Sequence, residues 1–190
     1  MGRIYIGIDL AAKENRCSGF AYIACKDACR VAEVRCLYGD SDILDAVAKL
    51  LRDDRSLYVS IDAPFSLGSG MRKVDRKMIS LGFRVFPPGF SYMGMLTVRA
   101  MKIVSSLKSL GVTNIYETHP RSSMLSSGCG DVAEVLDRLN VVSTDRVDRL
   151  GRDQIDAIVC AAVAYCIDRG CYMKIEEVDG IIWLLDRVCV

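Results

Sequence analysis

Five carboxylates carry the chemical interest of this chain: Asp9, Asp62, Glu117, Asp153 and Asp156. Asp9 closes the apolar run IYIGID, Asp62 closes LYVSID and Glu117 closes VTNIYE. A carboxylate at the end of a buried strand loses hydration, and like charges beside it add repulsion; both disfavour the ionised form. A divalent cation resolves both. Mg²⁺ takes oxygen ligands, typically a few carboxylates with waters and substrate phosphates. Two such ions about 4 Å apart activate a water and stabilise the leaving oxygen in phosphodiester hydrolysis. Asp153 and Asp156 lie three apart and so share one face of a helix. Each acid alone also has a structural reading, as a helix-start residue favoured by the macrodipole or as an Asx turn after a strand. The convergence of acids from three strands and one helix is what points to a metal site.

The elements that must position these acids follow from the pattern of the chain. Residues 4–10, 17–24 and 30–38 read as strands joined by short turns, hence as antiparallel neighbours. Asp42 to Arg52 has the apolar spacing of an amphipathic helix, with Ser41 or Asp42 as its cap. Residues 57–62 form a buried strand that Pro64 stops. A short basic helix spans 71–81, and a longer one runs from Met95 to Leu110. Residues 112–117 are a further strand, followed by a polar, partly helical stretch from 121 to about 150. Asp153 to Asp168 is apolar nearly all round past its first turn, which predicts a deeply buried helix. Residues 172–176 and 181–185, split by Asp179-Gly180, predict a terminal hairpin. An antiparallel meander followed by β-α units makes an α/β fold. The first strand, 57–62 and 112–117 form its parallel part. Their C-terminal ends share one edge, where open α/β sheets bind ligands.

Composition narrows the function classes. The chain has 190 residues, 51% hydrophobic and 26% charged, which excludes a disordered protein and predicts a single domain over 1–190. The formal net charge of +1, from 25 basic and 24 acidic residues, argues against non-specific coating of DNA but allows a local basic groove. No phosphate-binding G-x-x-x-x-G-K-[ST] loop, G-x-G-x-x-G fingerprint or G-x-S-x-G elbow is present. No apolar run reaches the length of a membrane span, and the chain opens directly on a strand, so no targeting segment is expected. Nine cysteines, an odd number with no C-x-x-C pair, read as reduced core residues of a cytoplasmic protein.

Several segments together resemble the predicted-nuclease family catalogued as domain of unknown function 429. They are Gly7 to Ala11, Ser60 to Leu67, Val74 to Arg76 with Gly82 to Pro88, Met95 to Ala100, Tyr116 to Arg121, and Asp153 to Ala157. The resemblance covers most of the chain. It implies an RNase H-like fold: a mixed five-stranded sheet, three strands antiparallel and the rest in parallel β-α units, flanked by helices. In RNase H-like nucleases the metal ligands come from the first strand, the fourth strand and the last helix. That carry-over lands on Asp9, Asp62 and Asp156, with Asp153 beside it, and Glu117 belongs to the family's own pattern. The implied cofactor is Mg²⁺ or Mn²⁺, and the implied partner is nucleic acid, DNA or RNA, bound by a monomer or homodimer. Arg76, Arg84 and Arg99 also fall in the pattern.

The remaining polar residues cluster near the same edge. His119, the single histidine, reads as a phosphate contact or proton shuttle, or else as a residue that fixes the loop backbone. Arg121 follows it as a phosphate contact. Arg72, Lys73, Arg76, Lys77 and Arg84 form either a phosphate-binding flank or a solvated helix face. Arg76, Arg84 and Arg99 rank above the lysines because arginine grips phosphate bidentately. Phe83, Phe86, Phe90 and Tyr92 interleave with these charges and read as packing beneath the loop, or as base-stacking groups. The leading functional expectation is a metal-dependent phosphodiester hydrolase with Asp9, Asp62, Glu117, Asp156 and His119 in catalysis. The alternatives are a non-catalytic nucleic-acid-binding or regulatory protein, and an ATP-dependent phosphotransferase built on the same fold.

Overall fold

The computed structural model describes residues 2–51, 56–68, 70–89, 91–143 and 147–190. Strands β1 (Arg3–Asp9), β2 (Ser18–Cys25) and β3 (Cys29–Leu37) form the expected antiparallel meander. Strand β4 (Ser56–Asp62) pairs parallel to β1 with Asp9 opposite Asp62. Strand β5 (Asn114–Thr118) pairs parallel to β4 with Asp62 opposite Thr118. The sheet does not stop at these five strands. Strand β6 (Val141–Ser143) adds parallel to β3, and the hairpin of β7 (Tyr172–Glu177) and β8 (Gly180–Leu185) adds beyond β5. The order is β6-β3-β2-β1-β4-β5-β8-β7, an eight-stranded mixed sheet where five strands were expected. The five are its contiguous centre. The additions are a three-residue strand inside a polar stretch, and a hairpin that joins through a Thr118–Trp183 pairing.

Both faces of the sheet are covered, so β1 alternates between two cores. Ile4, Ile6 and Ile8 pack under α1 (Gly39–Leu51) and α3 (Ser91–Ser109). Tyr5 packs on the other face with α5 (Val132–Arg138) and α6 (Arg152–Arg169). The helix expected over Asp42 to Arg52 starts earlier, at Gly39; Arg52 lies outside the described residues. Helix α6 is buried continuously from Ala157 to Ala164, as its apolar composition requires. Two strand glycines seat it. A Cβ at Gly7 would overlap the Ala157 carbonyl and the Ala161 amide, and one at Gly19 would overlap the Asp153 carbonyl. The absence of side chains there lets α6 lie directly on β1 and β2.

Helix α4 (Pro120–Ser127) leaves the end of β5 and packs against α6 and β8. Helix α2 (Lys73–Ser80) packs on the β7–β8 hairpin through Val74, Met78, Ile175 and Ile182. Asp179 in the hairpin turn accepts hydrogen bonds from the Lys73 and Val74 amides and so closes the open N-terminus of α2.

The cysteines are not a reduced core. Four disulfides join Cys17 to Cys36, Cys25 to Cys29, Cys129 to Cys189 and Cys166 to Cys171, and only Cys160 is free. Residue spacing hid them because the partners meet through tertiary structure, two of the four through the β2–β3 register. Cys25 faces Cys29 across the β2–β3 ladder, and Cys17 precedes β2 beside the Gly19–Cys36 pair. The pairing removes the basis on which the cysteines suggested a reducing compartment. No helix among the described residues is long and apolar enough to cross a membrane.

Candidate metal centre and its clefts

Strand parity decides which acids can meet. Successive side chains of a strand point to opposite faces. Asp9 shares its face with Gly7, against which α6 lies directly, and Asp62 is in register with Asp9. Asp9 and Asp62 therefore project on the α6 face. The first turns of α6 bring Asp153 and Asp156 to the same place, set by the close approach at Gly19. Among the described residues, the carboxylates of Asp9, Asp62 and Asp153 have no ion-pair or hydrogen-bond partner. Asp156 has a loose one, Arg152 Nε at 3.6 Å.

The electrostatics follow from that arrangement. Burial, then the charges of Asp156 and Asp153, push the Asp9 carboxyl up to about 7. Burial pushes Asp62 well above the carboxylate range, with Asp9, Asp156 and Glu117 adding repulsion. Burial raises Asp156 too, against the pull of Arg152. An all-oxygen set of repelling carboxylates, only one of them with a cation partner, has the donor chemistry of a hard divalent-cation site. Among the described residues, no three of their oxygens lie within 4.8 Å of one another; the one group of three ligand atoms that does is Cys129, Glu134 and Cys189. That second group is closed to a metal because Cys129 and Cys189 are bonded to each other.

Glu117 ends a neighbouring strand but points the other way. It is in register with Ile61, whose side chain belongs to the α1–α3 core, so it lies on the face opposite Asp62. There it meets Arg72, which is 2% exposed. Arg72 Nη2 donates to Glu117 Oε1 at 2.6 Å and Nη1 to Oε2 at 3.0 Å. The Phe65 amide donates to Oε2 at 2.8 Å. The same guanidinium reaches Asp75 through Nη2 at 2.7 Å and Nε at 3.0 Å. Burial raises Glu117, and the hydrogen bonds from Arg72 oppose it. Arg72 is thus neither phosphate flank nor solvated face, but the hub of a buried ion triad tying α2 to β5.

His119 forms the N-cap of α4. Its Nδ1 accepts from the Ser122 amide at 3.3 Å and lies 2.7 Å from the Ser122 hydroxyl. Burial, with the charge of Arg121, lowers the ring to about 4, so it is neutral. The hydrogen-bond network assigns the proton to Nε2, leaving that atom a donor rather than a base. His119 lines a small cavity of about 160 Å³ shared with Asp62, Phe86 and Leu96.

The predicted arginines divide. Arg84 and Arg121 line one cavity of about 780 Å³ that reaches Asp156. Arg76 is exposed on α2 and lines none of the cavities that touch the aspartates. Arg99 is buried between Asp40 and the Ala11 carbonyl, in the wall of a separate cavity. The cleft directly before Asp9, Asp62 and Asp153, about 500 Å³, is lined by Lys13, Arg16 and Tyr92. Sequence reasoning passed over Lys13 and Arg16 because the β1–β2 connection reads as a plain turn. Their closeness after Asp9 was the available signal. Phe83 is buried and Phe86 exposed, and Phe90 lies outside the described residues.

No protein-family model matches the chain, and no curated protein matches it. Among solved structures, it is similar to T. thermophilus RuvC in complex with Holliday junction substrate. The TM-score is 0.52 at 12% sequence identity, covering 88% of this chain and 96% of that one. The likeness is one of fold, and it makes the α/β sheet and its covering helices RNase H-like.

Proposed function

We propose that this protein is a divalent-metal-dependent phosphodiester hydrolase acting on nucleic acid. One observation carries the reading. Asp9, Asp62, Asp153 and Asp156 gather on one sheet face with no close cation but the loose Arg152, whereas the buried Glu117 and Asp75 share Arg72. A fold gains no stability from four such acids together, and a metal site gives them a use. The RuvC-like fold supports the reading, as that neighbour is in complex with Holliday junction substrate.

In this proposal Asp9, Asp62 and Asp156 hold Mg²⁺ or Mn²⁺, with Asp153 completing the set. When bound there, such an ion would supply Lewis acidity toward an attacking water and a leaving oxygen. Arg84 and Arg121 grip phosphates on the Asp156 side, and Lys13 and Arg16 on the Asp9 side. His119 donates from Nε2 to a phosphate oxygen. Glu117 acts from the far face, holding the end of β5 and with it His119 in place.

The test is calorimetric titration of Mn²⁺ into the wild type and Asp9→Asn, followed by cleavage of labelled oligonucleotides with Mg²⁺ or Mn²⁺. Binding and cleavage that Asp9→Asn loses are expected. Full cleavage by Asp9→Asn would overturn the proposal.

A further inference from the structure

Two arginines are buried among the described polar residues, Arg72 and Arg99. A guanidinium carries five N–H donors and no acceptor, so burying one demands several partners. Arg72 has two carboxylates. Arg99, 6% exposed, has less. Its Nε donates to Asp40 Oδ1 at 2.7 Å and its Nη1 to the Ala11 carbonyl at 2.6 Å. Its Nη2 is buried with no partner. Leaving a buried charged donor unsatisfied carries a desolvation penalty that a bound anion removes.

The surroundings suit an anion. Arg99 lies in the wall of a cavity of about 870 Å³ between the β1–β2 loop and α3. Lys13, Asn15 and Lys102 also line it, with Glu14 and Asp40 as the opposing charges. Asp40 and Arg99 pair with each other, which leaves Lys13 and Lys102 facing Glu14, an excess of one positive charge. Lys13 lines both this cavity and the cleft before Asp9, Asp62 and Asp153, so the two spaces meet at its side chain.

We infer that the Arg99 cavity is a phosphate-binding subsite, which takes a backbone phosphate of the strand lying across the aspartates. Arg99 is the fixed charge in the wall, with one N–H group that the protein leaves unpartnered, and Lys13 and Lys102 are mobile point charges at the mouth. The identity of the strand rests on the proposed function above; the anion chemistry does not. The Arg99 cavity shares no lining residue with the cavity of Arg84 and Arg121, so it would be a separate grip on the same strand.

The experiment uses the full chain in EDTA, which removes metal chemistry from the readout. Inorganic phosphate is titrated at low ionic strength into the wild type, Arg99→Lys and Lys13→Ala/Lys102→Ala. Binding of a labelled single-stranded oligonucleotide is then measured from low to high salt. Both lysines are exposed, so the double variant keeps the fold even if Arg99→Lys melts early. Phosphate is expected to bind the wild type and to bind both variants about tenfold more weakly. Oligonucleotide affinity is expected to fall in parallel, the slope of log K against log salt shrinking by about 0.7 per lost contact. Equal phosphate binding by wild type and double variant, or none by either, would overturn the subsite. Phosphate binding that the double variant loses, with oligonucleotide binding unchanged, would overturn the strand assignment and leave a site for free phosphate. A wild type that binds phosphate but no oligonucleotide would sink the nucleic-acid reading itself while upholding the anion site.

Discussion

Asp62, the last residue of β4, and Glu117, the last but one of β5, lie one register step apart on adjacent parallel strands, and the protein treats them in opposite ways. Glu117 is 5% exposed and receives three hydrogen bonds, two of them from Arg72. Asp62 has three acidic neighbours and no ion pair, with Arg152 the one cation that offsets them. The far end of α6 repeats the first pattern. There Asp168 accepts from Arg3 at 2.7 Å and from the Tyr5 hydroxyl at 2.6 Å, and those bonds hold it below its ordinary value despite burial. Wherever a buried acid serves structure, the fold supplies its partner. Where α6 meets β1 and β4, it supplies more acids. The contrast separates the residues that hold the sheet edge from those that use it.

The comparison breaks most sharply at Arg72. Replacing it with methionine strands Glu117 and Asp75 without a cation, and urea denaturation is expected to show a loss of about 3–5 kcal/mol. The aspartate face should answer differently. Asp62→Asn is expected to fold at least as well as wild type, yet to lower oligonucleotide cleavage with Mn²⁺ by about 10²–10³-fold. A variant that unfolded instead would place Asp62 with Glu117 as a structural acid.

Proton linkage sharpens the same contrast, with opposite signs at two residues. Asp9 holds its proton to about 7 in the folded chain but loses it near the ordinary 3.8 when unfolded. Its contribution to metal-free stability is therefore present below 3.8 and lost as pH rises to about 7. Asp9→Asn in EDTA is expected to be more stable than wild type by on the order of 2 kcal/mol at pH 8, with the gap closing toward pH 4. His119 runs the other way. Its folded value of about 4 lies below the ordinary 6.5, so its contribution is present above 6.5 and lost as pH falls toward 4. His119→Asn, which keeps a capping acceptor, is expected to flatten the pH 4–6.5 stability profile by about 1 kcal/mol.

The centre of the fold was legible because alternation and apolar runs mark β1 to β5, and because α6 is apolar on nearly every face. The edges were not. Strand β6 is three residues long and exists by pairing with β3, and β8 meets β5 near its end through Thr118 and Trp183. Asp9 and Asp62 were legible as strand-ending acids, and Asp153 and Asp156 by their helical spacing. The face of Glu117 was not, since it depends on the β4–β5 register placing Thr118, rather than Glu117, opposite Asp62. Arg72 was hidden among neighbours that are exposed, Lys73, Arg76 and Lys77. Two disulfides depended on the unseen β2–β3 register, and the other two on how α4 and α6 meet the C-terminal hairpin and tail.

Asp179 caps α2 from a turn more than a hundred residues further along the chain. The first amides of α2 are thus protected by a hairpin rather than by their own helix. Their hydrogen exchange becomes a clock for that hairpin. Lys73 and Val74 should exchange in step with the β7–β8 turn, and the two distant segments should open as one cooperative unit.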